Sequence, residues 1–221
     1  MDAIERRLGG WLGFVGLFSA ASYAGNLSDS GETLDEPLYE ASFFFASMVG
    51  LTLMLGAALL VAIGTRKRDL FALRRPKSWL RALGISFGVL VAIVAVSGLV
   101  SQWLDPGGEQ GLLPEYWPPP NAAVFALNVA AVVLGAPLAE ELLFRGVGYT
   151  LLSRFGTWIA IVGTAVAWAA AHGLVEAFPV IFALGIGLGI LRRSTDSVIP
   201  GMLLHSLFNA IALAAAAASA D

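Results

Sequence analysis

Six side chains in this sequence could do chemistry together. Glu140, Glu141 and Arg145 lie in one apolar stretch, His172 ends the next, and His205 and Asn209 share the last. Both histidines of the chain are in this set, and there is no cysteine. Thiol nucleophiles, disulfides and Cys-based zinc or iron-sulfur centres are therefore excluded. An ionisable residue inside an apolar span costs about 2.5 to 3.5 kcal/mol on insertion scales, so each one found there needs a partner or a function. Arg145 follows Glu141 by four positions, which puts both on one helical face with the acid first, the favourable order. Glu140 sits about 100° further round and has no intrahelical partner. It must be stabilised by another helix, by water or by a bound proton. Trp168 and His172, like His205 and Asn209, are four apart and share a face. A carboxylate, two imidazoles and an amide converging in a low-dielectric cavity suit hydrolysis of an amide bond. The carboxylate can take a proton from water, a histidine can position that water, and neutral donors can stabilise the developing oxyanion. The competing reading is purely structural, with the Glu-Arg pair gluing helices and the histidines bonding to carbonyls.

The elements that must position these groups are apolar helices. The chain of 221 residues is 57% hydrophobic and only 13% charged, with a net charge of -3. A soluble domain carries about 25% charged residues, so a water-facing globule is excluded. Apolar windows run near 8 to 24, 41 to 63, 82 to 103, 122 to 152, 157 to 173, 179 to 191 and 198 to 218. At about 20 apolar residues per span they predict an all-α, polytopic transmembrane bundle of about seven spans, forming one membrane domain over residues 1–221. The first window can also be read as a cleavable signal, since Ser22-Tyr23-Ala24 loosely resembles a small-x-small site. A turn at Ser153 to Gly156 makes the fourth and fifth windows antiparallel neighbours. Glu140 lies 15 residues before Phe155 and His172 lies 17 after it, so both sit roughly 22 to 26 Å from the turn and can meet. His205, about ten residues past the turn at Ser194 to Ser197, is shallower and needs a tilted or protruding helix to reach them.

Orientation follows the cations. Arg66, Lys67, Arg68, Arg74, Arg75, Lys77 and Arg81 fill the second connection, whereas the first and third hold no Lys or Arg. Those two are acidic, with Asp29, Glu32, Asp35, Glu36 and Glu40 in one and Asp105, Glu109 and Glu115 in the other, which ends in Trp117-Pro118-Pro119-Pro120. Cytoplasmic loops are enriched in Lys and Arg, so the N-terminus is expected in the cytoplasm and the C-terminus outside. The basic stretch beside two spans reads as a topology determinant and not as a nucleic-acid patch; the expected surroundings are a lipid bilayer, in size and compactness a bacterial inner membrane. Gly185, Gly187 and Gly189 fall in an apolar window and read as close helix packing. Gly84-Ile85-Ser86-Phe87-Gly88 matches the nucleophile-elbow pattern, but that elbow needs a strand-turn-helix context and this stretch is a membrane helix.

Three motifs carry a family resemblance. Glu140-Glu141-Leu142-Leu143-Phe144-Arg145 resembles the Glu-Glu-x-x-x-Arg motif of the CPBP intramembrane proteases, which include CAAX prenyl endopeptidases and bacteriocin-processing enzymes. Trp168 to His172 matches the aromatic-x-x-x-His motif that follows, and His205 to Asn209 the His-x-x-x-Asn motif. The likeness covers residues 135–212, with only Arg74-Arg75-Pro76 added ahead of the third span. The resemblance implies an intramembrane endopeptidase acting near the cytoplasmic face on a C-terminal CAAX-like tail, a leader or another membrane-associated peptide. It makes Glu140 the general base acting on water with His172, His205 and Asn209 the oxyanion-stabilising pair, and Glu141 with Arg145 their support. Trp168 departs from the family's usual Phe, a change expected to widen or reshape the pocket.

A metal stays open at this point, since the family is often labelled metalloprotease. Glu140, His172 and His205 could supply a His-His-Glu set for Zn²⁺ or another divalent ion, but they come from three helices and no His-Glu-x-x-His stretch exists. If a metal held all three, Glu140 could not be the free base, and the preferred reading requires no cofactor. Glu176, four residues after His172, reads as a solvated acid in an outer turn. The alternatives to an enzyme are a proton-coupled transporter, for which repeated halves and broken helices are wanting, and a non-catalytic scaffold or bacteriocin self-immunity protein.

Overall fold

A computed structural model describes residues 3–28, 37–111 and 119–219. Asp29, Glu32, Asp35, Glu36, Glu115, Trp117 and Pro118, on which part of the orientation argument drew, lie outside the described residues. Among the described residues all regular structure is helical. The elements are α1 (Ala3–Ser28), α2 (Ala41–Val61), a short α3 (Lys67–Leu70), α4 (Trp79–Val100), a short α5 (Pro106–Gln110), α6 (Ala122–Phe155), α7 (Thr157–Ala171), α8 (Phe178–Thr195) and α9 (Ile199–Ser219). The seven long rods fall where the apolar windows lie, and α2, α4, α6 and α8 are long and apolar enough to cross a membrane by length and composition. The expected seven spans thus become seven helices of which four meet that measure. With 15 residues, α7 rises only about 22 Å against a hydrocarbon core of about 30 Å. In α1 the glycines Gly9, Gly10, Gly13 and Gly16 dilute the apolar run.

Local chemistry sets the ends of these rods. The Asn121 side chain accepts from the backbone N–H groups of Ala123 and Val124 and starts α6, and Ser78 accepts from Arg81 to start α4. Gly156, at φ +133°, makes the tight reversal between α6 and α7 that a side chain would resist. Asp196 closes α8 in the left-handed region.

α6 is not a plain α-helix. Residues 131–135 and 141–148 are wide π-turns, the first closed by a bond from the Ala136 N–H to the Ala131 carbonyl, five residues back. Pro137 sits between them, and a proline inside a helix removes one N–H and crowds the carbonyl four residues earlier, which favours such a local widening. Carbonyls along these turns accept side-chain donors from other helices: Asn209 of α9 donates to Val132 across 2.8 Å, Trp11 of α1 to Leu143 across 3.0 Å, and Arg192 of α8 to Arg145 across 3.1 Å. α1 is therefore a packed element of the bundle, with Trp11 buried on Phe144 and against Gly148.

The core lies around α6, α7 and α8, where Leu143, Phe144, Trp168, Leu184, Leu188 and Leu191 are buried. The glycines of α8 make this approach close. A Cβ on Gly185 would meet Ala165 and one on Gly189 would meet Ile161, both on α7, while one on Gly187 would strike Val89 of α4. Ser86 lies within the helical span of α4, as the elbow's context argument required.

Candidate active site

Glu140 stands between the two π-turns of α6, and the residue is 8% exposed. The indole N–H of Trp168, on α7, donates to Glu140 Oε2 across 2.5 Å. This is the interhelical partner that the sequence required for Glu140 without naming it. Trp168 had been expected only to reshape the pocket; it supplies a hydrogen-bond donor that a phenylalanine lacks. Its ring also receives the Arg145 guanidinium, 4.5 Å from the centroid, and meets the rings of His172 and His205 edge-on at 5.0 and 5.1 Å.

Glu141 and Arg145 form a fully buried ion pair of 3.1 Å behind this carboxylate. The four-residue spacing delivers the pairing even on a π-turn. Arg145 also donates to the carbonyl of Gly185 across 3.2 Å, and Gly201 of α9 leaves the space that Glu141 occupies, since a Cβ there would lie 2.6 Å from Glu141 Oε2. Buried charges at this depth are tolerable only when paired in this way.

His205 comes from the first half of α9 and is 3% exposed. Its Nε2 lies 3.9 Å from Glu140 Oε2 and its Nδ1 lies 3.7 Å from Glu141 Oε1, so the ring sits between the two carboxylates. Both distances exceed a direct hydrogen bond. His205, which the straight-helix count places too shallow, lies 3.9 Å from one glutamate of α6 and 3.7 Å from the other. Asn209, one turn on, spends one amide proton on Val132, and its NH₂ group carries a second.

His172 is half-buried at the end of α7. Its Nδ1 bonds the carbonyl of Trp168 at 2.8 Å; a carbonyl only accepts, so the proton is on Nδ1 and Nε2 is left as an acceptor. The expected meeting of Glu140 with His172 is indirect, because Trp168 stands as the bonded partner and both groups face one cavity. That cavity, of about 400 Å³, is lined by Glu140, Trp168, His172, His205 and Asn209. A smaller pocket of about 180 Å³, bounded by Ser47, Gly50 and Met54 of α2, reaches Glu140 from its other side.

Among the described residues no three His, Asp or Glu side chains gather as a ligand set, while His172, with Nδ1 on the Trp168 carbonyl, keeps Nε2 open to the cavity as an acceptor. Glu176 is not simply solvated: its carboxylate accepts from the backbone N–H of Asp105 across 2.5 Å.

Sequence reasoning missed three contributors. The Val132 carbonyl becomes available only through the π-turn, and Gly185 acts through a backbone atom. Asn128, buried on α6, ties the segment before α2 by donating to the carbonyls of Leu38 and Glu40; as an amide in an apolar window it was visible but uncharged.

An all-helical bundle with four helices long and apolar enough to cross a membrane defines an integral membrane protein, and its acid, imidazole and amide side chains gather where α6, α7 and α9 meet. Residues 122–211, which contain every candidate site residue, match the Rce1-like family, described as type II CAAX prenyl endopeptidase Rce1-like. The match spans less than half of the chain and takes in all three motifs, so it is a similarity of that segment to the family. No curated protein and no solved structure matches the chain.

Proposed function

We propose that the chain is an intramembrane endopeptidase that hydrolyses a peptide bond of a membrane-associated substrate with water activated by Glu140. Support comes from one relationship: Glu140 and His205 face each other across 3.9 Å at the wall of a cavity that also takes in His172 and Asn209. A water between the carboxylate and an imidazole is a fit for that separation. Glu140 takes one proton from the water, and the hydroxide adds to the substrate carbonyl carbon. Charge developing on the carbonyl oxygen is met by N–H donors of His205 and Asn209. Collapse of the tetrahedral intermediate breaks the C–N bond, and the proton held by Glu140 passes to the leaving amine. Trp168 fixes the carboxylate for this task, and His172, through its Nε2, orients the water. Glu141 and Arg145 hold the α6 turn and the His205 ring in place. No step is routed through a metal.

The setting belongs to the same proposal: a bacterial inner membrane, with the N-terminus in the cytoplasm. The support is the gathering of Arg7, Arg74, Lys77 and Arg192 at one end of the bundle, where Arg7 bonds the Ile63 carbonyl and the other three surround Asp196. The test is a Glu140→Gln variant assayed on a tethered reporter peptide. Cleavage should fall to background while expression and membrane insertion persist, and unchanged processing would favour the scaffold or immunity alternative. Comparing peptide termini between cells carrying the two forms would identify the substrate.

A further inference from the structure

The cavity and the cations occupy opposite ends of the bundle. Apart from the buried Arg145, every Lys and Arg of the chain lies where α1, α4 and α7 begin or where α2, α6 and α8 end, or in the connections there. The cavity reaches the other end. Its floor is Glu140 and His205, and it rises past Asn209 and Leu213 of α9 to Ser101, just beyond α4, and to Gly107 and Gln110 of α5. His172, at the finish of α7, is on the same upper wall.

The cation end is closed. Below the floor lie the fully buried Glu141 and Arg145, then the buried Thr195 and Ser197. The segment leading out of α3 is laced to the α8–α9 turn: Lys77 donates to the Thr195 carbonyl, Val198 to the Ala72 carbonyl and Ser197 to the Arg74 carbonyl. At the cavity end the covering by the described residues is slight. Among the described residues the α5 strap is fastened by carboxylates on backbone N–H groups, with Glu109 accepting from Val175 and Ala177 at 2.7 Å and Glu176 accepting from Asp105. Gln110 on this strap is exposed.

We infer that the centre is served from the extracytoplasmic side, through the mouth beside α5, and that its substrate is an exported, membrane-anchored peptide presenting its scissile segment there. Cations mark the cytoplasmic end, so a cavity sealed at that end and open at the other admits peptide only after it has crossed. This is the reverse of the cytoplasmic-face cleavage implied by the family resemblance. The inference rests on the hydrolase reading of the site, but the side of access can be measured without activity.

The chain has no cysteine, so single cysteines report cleanly. With the full chain in a bacterial inner membrane, Gln110→Cys and Ser101→Cys should react with a membrane-impermeant maleimide in intact spheroplasts, and Lys77→Cys only after lysis. The reverse pattern overturns the inference. In a second arm, one anchored reporter peptide is placed on either side of the membrane. Cleavage of the exported form alone, abolished in Glu140→Gln, is the expected result. Cleavage of the cytoplasmic form alone, also abolished by that variant, overturns the side assignment and leaves the hydrolase standing. Labelling as expected, with cleavage unaffected by Glu140→Gln, instead defeats the hydrolase reading and with it the substrate named here.

Discussion

The indole nitrogen of Trp168 donates to Glu140 Oε2 across 2.5 Å, joining α7 to α6 at the carboxylate assigned to activate water. A hydrogen bond to a charged group contributes about 1.5 to 3 kcal/mol. Trp168→Phe keeps an aromatic ring and removes the donor. Steady-state cleavage of a reporter should show kcat reduced roughly ten- to a hundredfold with KM little changed. An effect confined to KM would mean that Trp168 only shapes the pocket.

Asn209, proposed as an oxyanion donor, is tied to the first π-turn by its bond to Val132. Asn209→Leu removes both this tie and the second amide proton. Loss of one oxyanion donor costs about a hundred- to a thousandfold in kcat, and single-turnover kinetics should register a drop of that order. A rate within threefold of the parent would remove Asn209 from the proposed donor pair.

The Glu141–Arg145 pair has no access to water on either side chain. Truncating one partner of a buried pair costs about 3 to 5 kcal/mol. Glu141→Gln and Arg145→Met should each lower the thermal midpoint in detergent steeply, and Glu141→Leu with Arg145→Met should recover part of the loss. Equal loss in the double variant would argue that the two groups do not stabilise each other.

Gly201 admits the Glu141 carboxylate against α9. Gly201→Ala puts a methyl group 2.6 Å from Glu141 Oε2. Overpacking of this kind costs about 1 to 3 kcal/mol, so the melting temperature should fall, whereas Gly25→Ala, with open space around its Cβ position, should have little effect.

Asp196 lies outside the spans, where partial burial pushes its pKa up but the hydrogen bond and charge of Arg74, followed by those of Arg192, hold it below the ordinary value. A carboxyl whose folded pKa is depressed adds stability above its unfolded pKa of about 3.9, and that contribution is lost as pH falls through the lower folded value. Asp196→Asn suits the same left-handed backbone. Its melting temperature should lie below the parent's at pH 7, and the gap should close on acidification below about pH 4. A gap independent of pH would assign the effect to packing.

Much of this arrangement was legible in the residues. Spacing by four predicted the Glu141–Arg145 pair and set Asn209 beside His205, and the rarity of ionisable groups in apolar windows singled out Glu140, His172 and His205. The number of spans was less readable, because glycine-rich α1 and the 15-residue α7 become helical without the apolar length of a full crossing. Trp168 was flagged for its shape, since an aromatic inside an apolar run gives no sign that its N–H faces an acid. The π-turns were hidden for a different reason. A wide turn depends on where neighbouring donors meet a carbonyl, and Trp11, Arg192 and Asn209 lie far along the chain from the carbonyls they reach.

The wide turn at residues 131–135 acts as a phase setting for everything beyond it. Each residue of an α-helix advances the side chains by about 100°. Letting the same residues close into regular α-turns would rotate Asn121 and the segment through Asn128 by about that angle relative to Glu140. Either the anchoring of the α2 approach or the aim of the carboxylate would then be lost. A protein with the same three motifs and the same number of residues between Asn128 and Glu140, but a regular α-helix there, would thus have its acid misdirected, and its motif matches would overstate its competence.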